Sequence, residues 1–286
     1  WHLGRMLYGR SLLPDQEHFI ENTLMPLVDR EQPDGVILAG DIYDRSVAPA
    51  AAIRLFDRTV EALAQRGVPL IAIAGNHDGA DRLAVGAQLL RKNGVVIAAR
   101  PQDAFSPYVL EKAGETVQLF TLPWLDAPSA RQLLGEKGKD LRTWGQCAQA
   151  IVDKMAGMFL PGAAHVLVSH CFVAGSILSD SESTVFVGGS DQTPADIFAP
   201  FDYVALGHLH APQRAGEKGR YSGSPLWYSV DEEKHKKSLS IIEVRPGGFS
   251  LEEEPVVPLR RVRRISGKFQ ELLEAGEASP SEDLVD

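Results

Sequence analysis

Cysteine is nearly absent from this chain: Cys147 and Cys171 are the only two among 286 residues, and no C-x-x-C pair occurs. A disulfide framework and a cysteine-ligated zinc site are thereby excluded, and a reducing compartment is expected. No run approaches the ~18 uninterrupted apolar residues of a membrane-spanning helix. The opening WHLGR lacks the basic, apolar and small-residue order of a secretion signal, and it lacks an initiator Met, so a truncated start is expected. No G-x-x-x-x-G-K-[ST] loop is present, so any ATP dependence must come from a partner chain. Positive charge is also short, with 29 Lys+Arg against 38 Asp+Glu and a net charge of −9. That balance argues against a general grip on nucleic acid, although a local patch or bound cations can still supply one.

The material for a core is plentiful. Hydrophobic residues make up 44% of the chain and charged ones 23%, which excludes a disordered or low-complexity protein. A chain of this length forms one large domain or two modest ones and can bury roughly 75% of its extended surface.

Apolar periodicity then gives the architecture. Phe19, Ile20, Leu24, Leu27 and Val28 recur at three-and-four spacing and predict a helix over 15–30, entered through Pro14. A short apolar run over 36–39 follows, then a helix over 49–66 with Ile53, Phe56, Val60 and Leu63 on one face. A run over 68–74, a helix over 81–92 and a run over 95–97 repeat the alternation. Strands are expected over 108–111, 117–122, 165–169 and 203–206, with a helix over 141–159 and a Gly/Ser/Asp-rich loop between Val173 and Thr193. Continuous rather than alternating apolar strands indicate an α/β sheet covered on both faces. From 219 to 257 short strands at Tyr221, 226–230, 239–244 and 249–251 suggest antiparallel additions. Residues 1–265 are expected to form one catalytic domain, and 266–286, richer in Glu, Ser and Ala, a linker or the start of a further domain.

Four apolar runs end alike: VILA into Gly40-Asp41, LIAIA into Gly75-Asn76-His77-Asp78, VLVS into His170, and YVAL into Gly207-His208-Leu209-His210. Ligands of open α/β sheets bind outside the carboxyl ends of the strands, so these ends deliver Asp, Asn and His to one edge. Carboxylate, amide and imidazole donors without thiolates suit a labile, octahedral-tolerant ion such as Mn²⁺, ahead of Mg²⁺, Fe²⁺ or Zn²⁺. Six candidate ligands are too many for one ion and suit two, about 3.5 to 4 Å apart, sharing a carboxylate. Two dications against the single Asp41 carboxylate leave the site cationic, which calls for an anionic substrate such as a phosphodiester. Glycine before Asp41, Asn76 and His208 fits a strand that must turn sharply into a cleft.

G-D-x-x-D-R, G-N-H-D, an isolated strand-end His and G-H-x-H, in this order, resemble the calcineurin-like metallophosphoesterase superfamily. WHLGR, LYGRSLLPDQ, GDIYDR, IAGNHDGADRL, GHLH and YSGSPL more closely resemble the SbcD family, the nuclease subunits of the bacterial SbcCD complex. The resemblance implies an α/β sandwich of two mixed β-sheets flanked by helices, with a dinuclear metal site at the strand C-terminal ends. It implies that His2, Asp41 and His210 hold a first metal, most simply Mn²⁺, and that Asp41, Asn76, His170 and His208 hold a second, with Asp41 bridging. A water-derived nucleophile then attacks phosphorus in line while His77 stabilises or protonates the departing oxygen. Asp44 and Asp78 are expected to orient imidazoles.

The resemblance further implies metal-dependent hydrolysis of DNA as a 3′-to-5′ exonuclease and hairpin endonuclease, an SbcC-like ATPase partner, and a homodimer contact through the helices at 49–66 and 81–92. Family members open with a strand ending in Asp-x-His, and this chain begins one residue after that Asp, so a weakened first metal and an impaired enzyme are expected. Two rival readings remain: a metallophosphoesterase acting on small phosphoesters, and a DNA-end-binding protein with impaired catalysis. His18, His165 and His235 read as ordinary residues, Cys171 as a buried free thiol, and the mixed-sign run 231–237 as solvent-facing. The cluster Arg260, Arg261, Arg263 and Arg264 reads equally as a phosphate contact, a solvated face or a contact with a further domain.

Overall fold

The computed structural model describes residues 1–182 and 192–286, so part of the loop expected between Val173 and Thr193 lies outside the described residues. Two sheets pack face to face. The smaller consists of the parallel strands Val36–Leu38, Leu70–Ile73 and Val95–Ala98 in that order. The larger has six strands, ordered Gln213–Ala215, Gly219–Tyr221, Tyr203–Gly207, Ala164–His170, Glu115–Leu122 and Tyr108–Lys112. Its interior pairs are parallel and its two outermost pairs antiparallel, so only the larger of the two expected mixed sheets is mixed.

Strand alternation explains why the apolar runs are continuous. Leu70 and Ala72 point to one core cluster while Ile71 and Ile73 point to another, shared with Val166, Val168, Tyr203 and Ala205 of the larger sheet. Ile71 and Ile73 are fully buried between the sheets, and each such burial contributes about 2 kcal/mol. Leu167, Val204 and Leu206 turn the other way, onto helix Trp144–Ala156. The first helical segment and helix Ala50–Gln65 cover the outer face of the smaller sheet, which completes four layers.

Several elements differ from expectation. The first helix runs as Leu13–Phe19, a π-helical stretch Ile20–Leu24 and Met25–Glu31. Pro26 is the cause: it has no N–H for the carbonyl four residues back and its ring crowds that carbonyl, which a widened turn relieves. The helix expected over 81–92 is two short ones, Ala80–Leu83 and Ala87–Arg91, broken where Gly86 takes φ +74°. Ile53, placed on the buried face of the second helix, is 49% exposed, and Leu55 and Ala52 take its place in the core. Residues 226–230 form no strand; Leu226, Tyr228 and Val230 alternate inward without a ladder partner. Strands Ser238–Arg245 and Gly248–Pro255 pair with each other as a separate hairpin.

Beyond residue 265 a helix covers Phe269–Ala278, and strand Leu284–Val285 pairs in parallel with Val262–Arg263. Three of the four clustered arginines are ion-paired. Arg260 pairs with Asp15, Arg263 with Asp283 and Arg264 with Asp286. Both cysteines are buried and free, and among the described residues no helix is long and apolar enough to cross a membrane.

Candidate metal centre

The four strand ends meet at one edge, as the sequence pattern requires. Asp41 and Asn76 follow strands of the smaller sheet, and His170 and His208 end or follow strands of the larger. Close packing of these ends, more than sharp turning, demands the glycines. A Cβ on Gly40 would collide with the His170 ring, one on Gly75 with the Asp41 carboxylate, and one on Gly207 with the Ala39 carbonyl. Only Gly40 of the three also has a positive φ, +95°. Asp41 and His208 themselves carry positive φ angles of 47° and 104°, a strained backbone that the surrounding packing enforces. Gly207→Ala would set a methyl 2.9 Å from His170 Nδ1 and closer still to the Ala39 carbonyl. We expect a loss of about 1–3 kcal/mol in stability, measured by thermal unfolding, with weakened Mn²⁺ binding.

Two clusters of ligand atoms share Asp41. Asp41, His170 and His208 form one, and His2, Asp41 and His77 the other, each with its ligand atoms within 4.8 Å of one another. His170 Nε2 lies 3.2 Å from Asp41 Oδ2 and 3.0 Å from Asn76 Oδ1, which is also 3.1 Å from His208 Nδ1. His2 Nε2 stands 3.6 Å from Asp41 Oδ2 and 3.1 Å from His210 Nε2. The seven residues His2, Asp41, Asn76, His77, His170, His208 and His210 are therefore brought together from positions 2 to 210.

Ring orientation tests whether this set fits cations. The His170 Nδ1–H donates to the Ala39 carbonyl at 2.7 Å, which leaves a lone pair on Nε2 facing two oxygens. Lone pair against lone pair is repulsive unless a positive charge lies between them. A proton is one solution: burial by itself would lower the His170 pKa, yet the Asp41 carboxylate and the Ala39 carbonyl raise it overall. A divalent cation is the other, and the donor set of one carboxylate, one amide oxygen and several imidazoles suits it. His2 Nδ1 is buried and has no hydrogen-bond partner among the described residues. Burial holds His2 well below its ordinary pKa and pushes His208 down to about 3, so both rings stay neutral and able to ligate. Burial alone would raise the Asp41 carboxyl, but His170, His2 and His77 hold it well below the usual range.

Asp44 orients an imidazole through its main chain rather than its carboxylate, and Asp78 holds backbone instead of a ring. His77 Nδ1 donates to the Asp44 carbonyl at 2.8 Å, while the Asp44 carboxylate pairs with Arg5 at 3.0 Å. The Asp78 carboxylate accepts from the amides of Gly75, Ile42 and Tyr43, tying the two metal-site loops together. The imidazole-orienting carboxylate is Glu232, whose Oε1 is 2.9 Å from His210 Nδ1. It belongs to the run 231–237 expected to face solvent, yet Glu232 is 0% and Lys237 3% exposed. His77 also differs in one respect, since it sits within ligand reach of His2 and Asp41 as well as where an acid is expected.

The calcineurin-like phosphoesterase family model matches residues 2–212, the span that carries every one of these candidate ligands. SbcD of the SbcCD nuclease from Staphylococcus epidermidis is 32% identical over 277 residues, covering 96% of this chain and 72% of that protein. The protein of the same name from Bacillus subtilis is 36% identical over 255 residues, 86% of this chain and 65% of that one. That of Staphylococcus saprophyticus is 31% identical over 276 residues, 96% and 72% respectively. This chain belongs to the calcineurin-like phosphoesterase family and, within it, to the SbcD family.

Proposed function

We propose that the chain is a metal-dependent nuclease subunit that hydrolyses DNA phosphodiester bonds, with residues 1–265 as its nuclease domain. The observation that carries this reading is the pair of ligand clusters sharing Asp41, with His170 Nε2 3.2 Å and 3.0 Å from two oxygens. The names of the SbcCD relatives support a nuclease over other phosphoesterases. Asp41, Asn76, His170 and His208 would hold one divalent ion, and His2, Asp41 and His210 the other, most simply Mn²⁺. When bound, the ions would supply positive charge to the phosphate oxygens and a nucleophile from water.

The protein's own contribution is placement. Asp41 accepts the His77 amide at 2.9 Å, so the residue that bridges the clusters also positions the ring beside them. That ring stands 4.8 Å from His2, centroid to centroid, and its Nδ1 is tied to the Asp44 carbonyl. Its Nε2 is left to meet the leaving oxygen, to which the imidazolium form would hand its second proton while keeping the one on Nδ1. An SbcC-like ATPase is the proposed partner, and the exposed Val85 (76%) and Leu89 (71%) support a homodimer contact near 81–92. A cytoplasmic, nucleoid-associated setting fits such a substrate.

The test compares linear duplex DNA, bis-p-nitrophenyl phosphate and p-nitrophenyl phosphate in the presence of Mn²⁺. We expect both diesters to be hydrolysed and chelation by EDTA to abolish turnover. Preference for the monoester would sink the nuclease reading.

A further inference from the structure

A charged run that should favour water places one acid and one lysine in the interior, beside His210. Glu232 and Lys237 form an ion pair of 2.6 Å with neither side chain exposed. Taking two charges out of water is costly, and a fold retains such a pair where the geometry it enforces is used. All three donors of the Lys237 ammonium are engaged: Glu232 Oε2 at 2.6 Å, Ser224 Oγ at 2.7 Å and the carbonyl of His210 at 2.8 Å. Glu232 commits its other oxygen to the His210 ring, at 2.9 Å from Nδ1, and to the Ser181 hydroxyl at 2.6 Å, which itself stands 2.8 Å from that nitrogen and is oriented by Glu232. The His210 amide in turn donates to Glu182. His210 is thus gripped at its amide, its carbonyl and its ring.

Resting on the reading that His210 is a metal ligand, we infer that Glu232, locked by Lys237, is its positioning residue. An acceptor on Nδ1 keeps the proton there and leaves the Nε2 lone pair directed at the cluster, toward His2 Nε2 at 3.1 Å. Lys237 serves this in three ways. It holds the carboxylate against rotation, and it fixes the backbone from which the ring projects. It also offsets the Glu232 charge, so the ring gains an oriented acceptor without a second net anion beside the ions.

The test uses the whole chain and Mn²⁺ alone, with free ion followed by electron paramagnetic resonance. Three variants are compared with the parent: His210→Ala, the neutral pair Glu232→Gln with Lys237→Met, and Glu232→Leu with Lys237→Met. His210→Ala should weaken one of two Mn²⁺ sites and spare the other. The Leu/Met pair should weaken that same site by about 10- to 100-fold, and the Gln/Met pair, which keeps an acceptor, should recover part of the loss. In ¹⁵N-histidine spectra without metal, His210 should carry its proton on Nδ1 in the parent and Gln/Met proteins and lose that preference in the Leu/Met protein. Thermal unfolding in EDTA identifies any variant that does not fold, and the Gln/Met protein and the parent tautomer then decide. If His210→Ala retains both sites unchanged, the ligand reading of His210 falls and the positioning role with it. If it weakens one site while the Leu/Met protein binds like the parent, or if the parent tautomer is Nε2–H, the positioning role alone is overturned.

Discussion

Asp41→Asn is expected to abolish hydrolysis to within detection, a fall of about 10³-fold or more, and to strip Mn²⁺ from both sites rather than one. Two facts lead there. Asp41 belongs to both ligand clusters, and among the described residues it is the only carboxylate in either. Removing its charge leaves imidazoles and an amide to hold dications, and the several kcal/mol of charge stabilisation that the ions provide goes with them. Asparagine is the informative substitution because the backbone at 41 has φ 47°, a region that Asn tolerates far better than Ala. Metal analysis of the purified variant gives the answer: two ions retained per chain would overturn the bridging role.

His77→Ala should act on the chemistry and spare the metals. Its side chain is tied to Asp44 through Nδ1, whereas its bond to Asp41 is made by the main-chain amide and survives the substitution. Loss of a general acid lowers turnover by roughly 10²- to 10⁴-fold. The size of the loss should follow the leaving group. An alkoxide departing from DNA needs the proton, while nitrophenolate does not, so bis-p-nitrophenyl phosphate should suffer far less. Because His77 also lies within ligand reach of His2 and Asp41, metal content decides between two roles. Mn²⁺ loss equal to that of Asp41→Asn would make it a ligand.

The centre was legible because its residues sit at the ends of apolar runs, where strand geometry dictates direction. Asp41, Asn76, His170 and His208 each follow from a short run and a turn, and the sheet order then juxtaposes them. The supporting shell was not legible in the same way. Glu232 and Lys237 lie in and after the short 3₁₀ turn Val230–Lys234, among five other charged or titratable residues, with no periodicity to mark which point inward. Their burial depends on each other and on His210, partners that only the folded chain supplies. The carboxylate partners of Asp44 and Asp78 were hidden for a related reason. A G-D-x-x-D or N-H-D spacing places a carboxylate near the ions, but whether it meets a ring or a backbone amide depends on the loop's path. The strand expected at 226–230 does not form because one-sided burial of Leu226, Tyr228 and Val230 only mimics a ladder; Tyr228 packs instead on the His2 ring, 5.3 Å away.

Asp41 and Asn76 ride on one slab of the sandwich, and His170 and His208 on the other. The candidate donors are therefore split across a plane of contact made by Ile71, Ile73, Val96, Val166 and Val168. Close-packed interiors resist sliding, so that hydrocarbon seam fixes the spacing between the two halves of the donor set. Trimming Ile73 or Val168 removes no candidate donor, yet it would loosen the spacing at which the two slabs hold theirs.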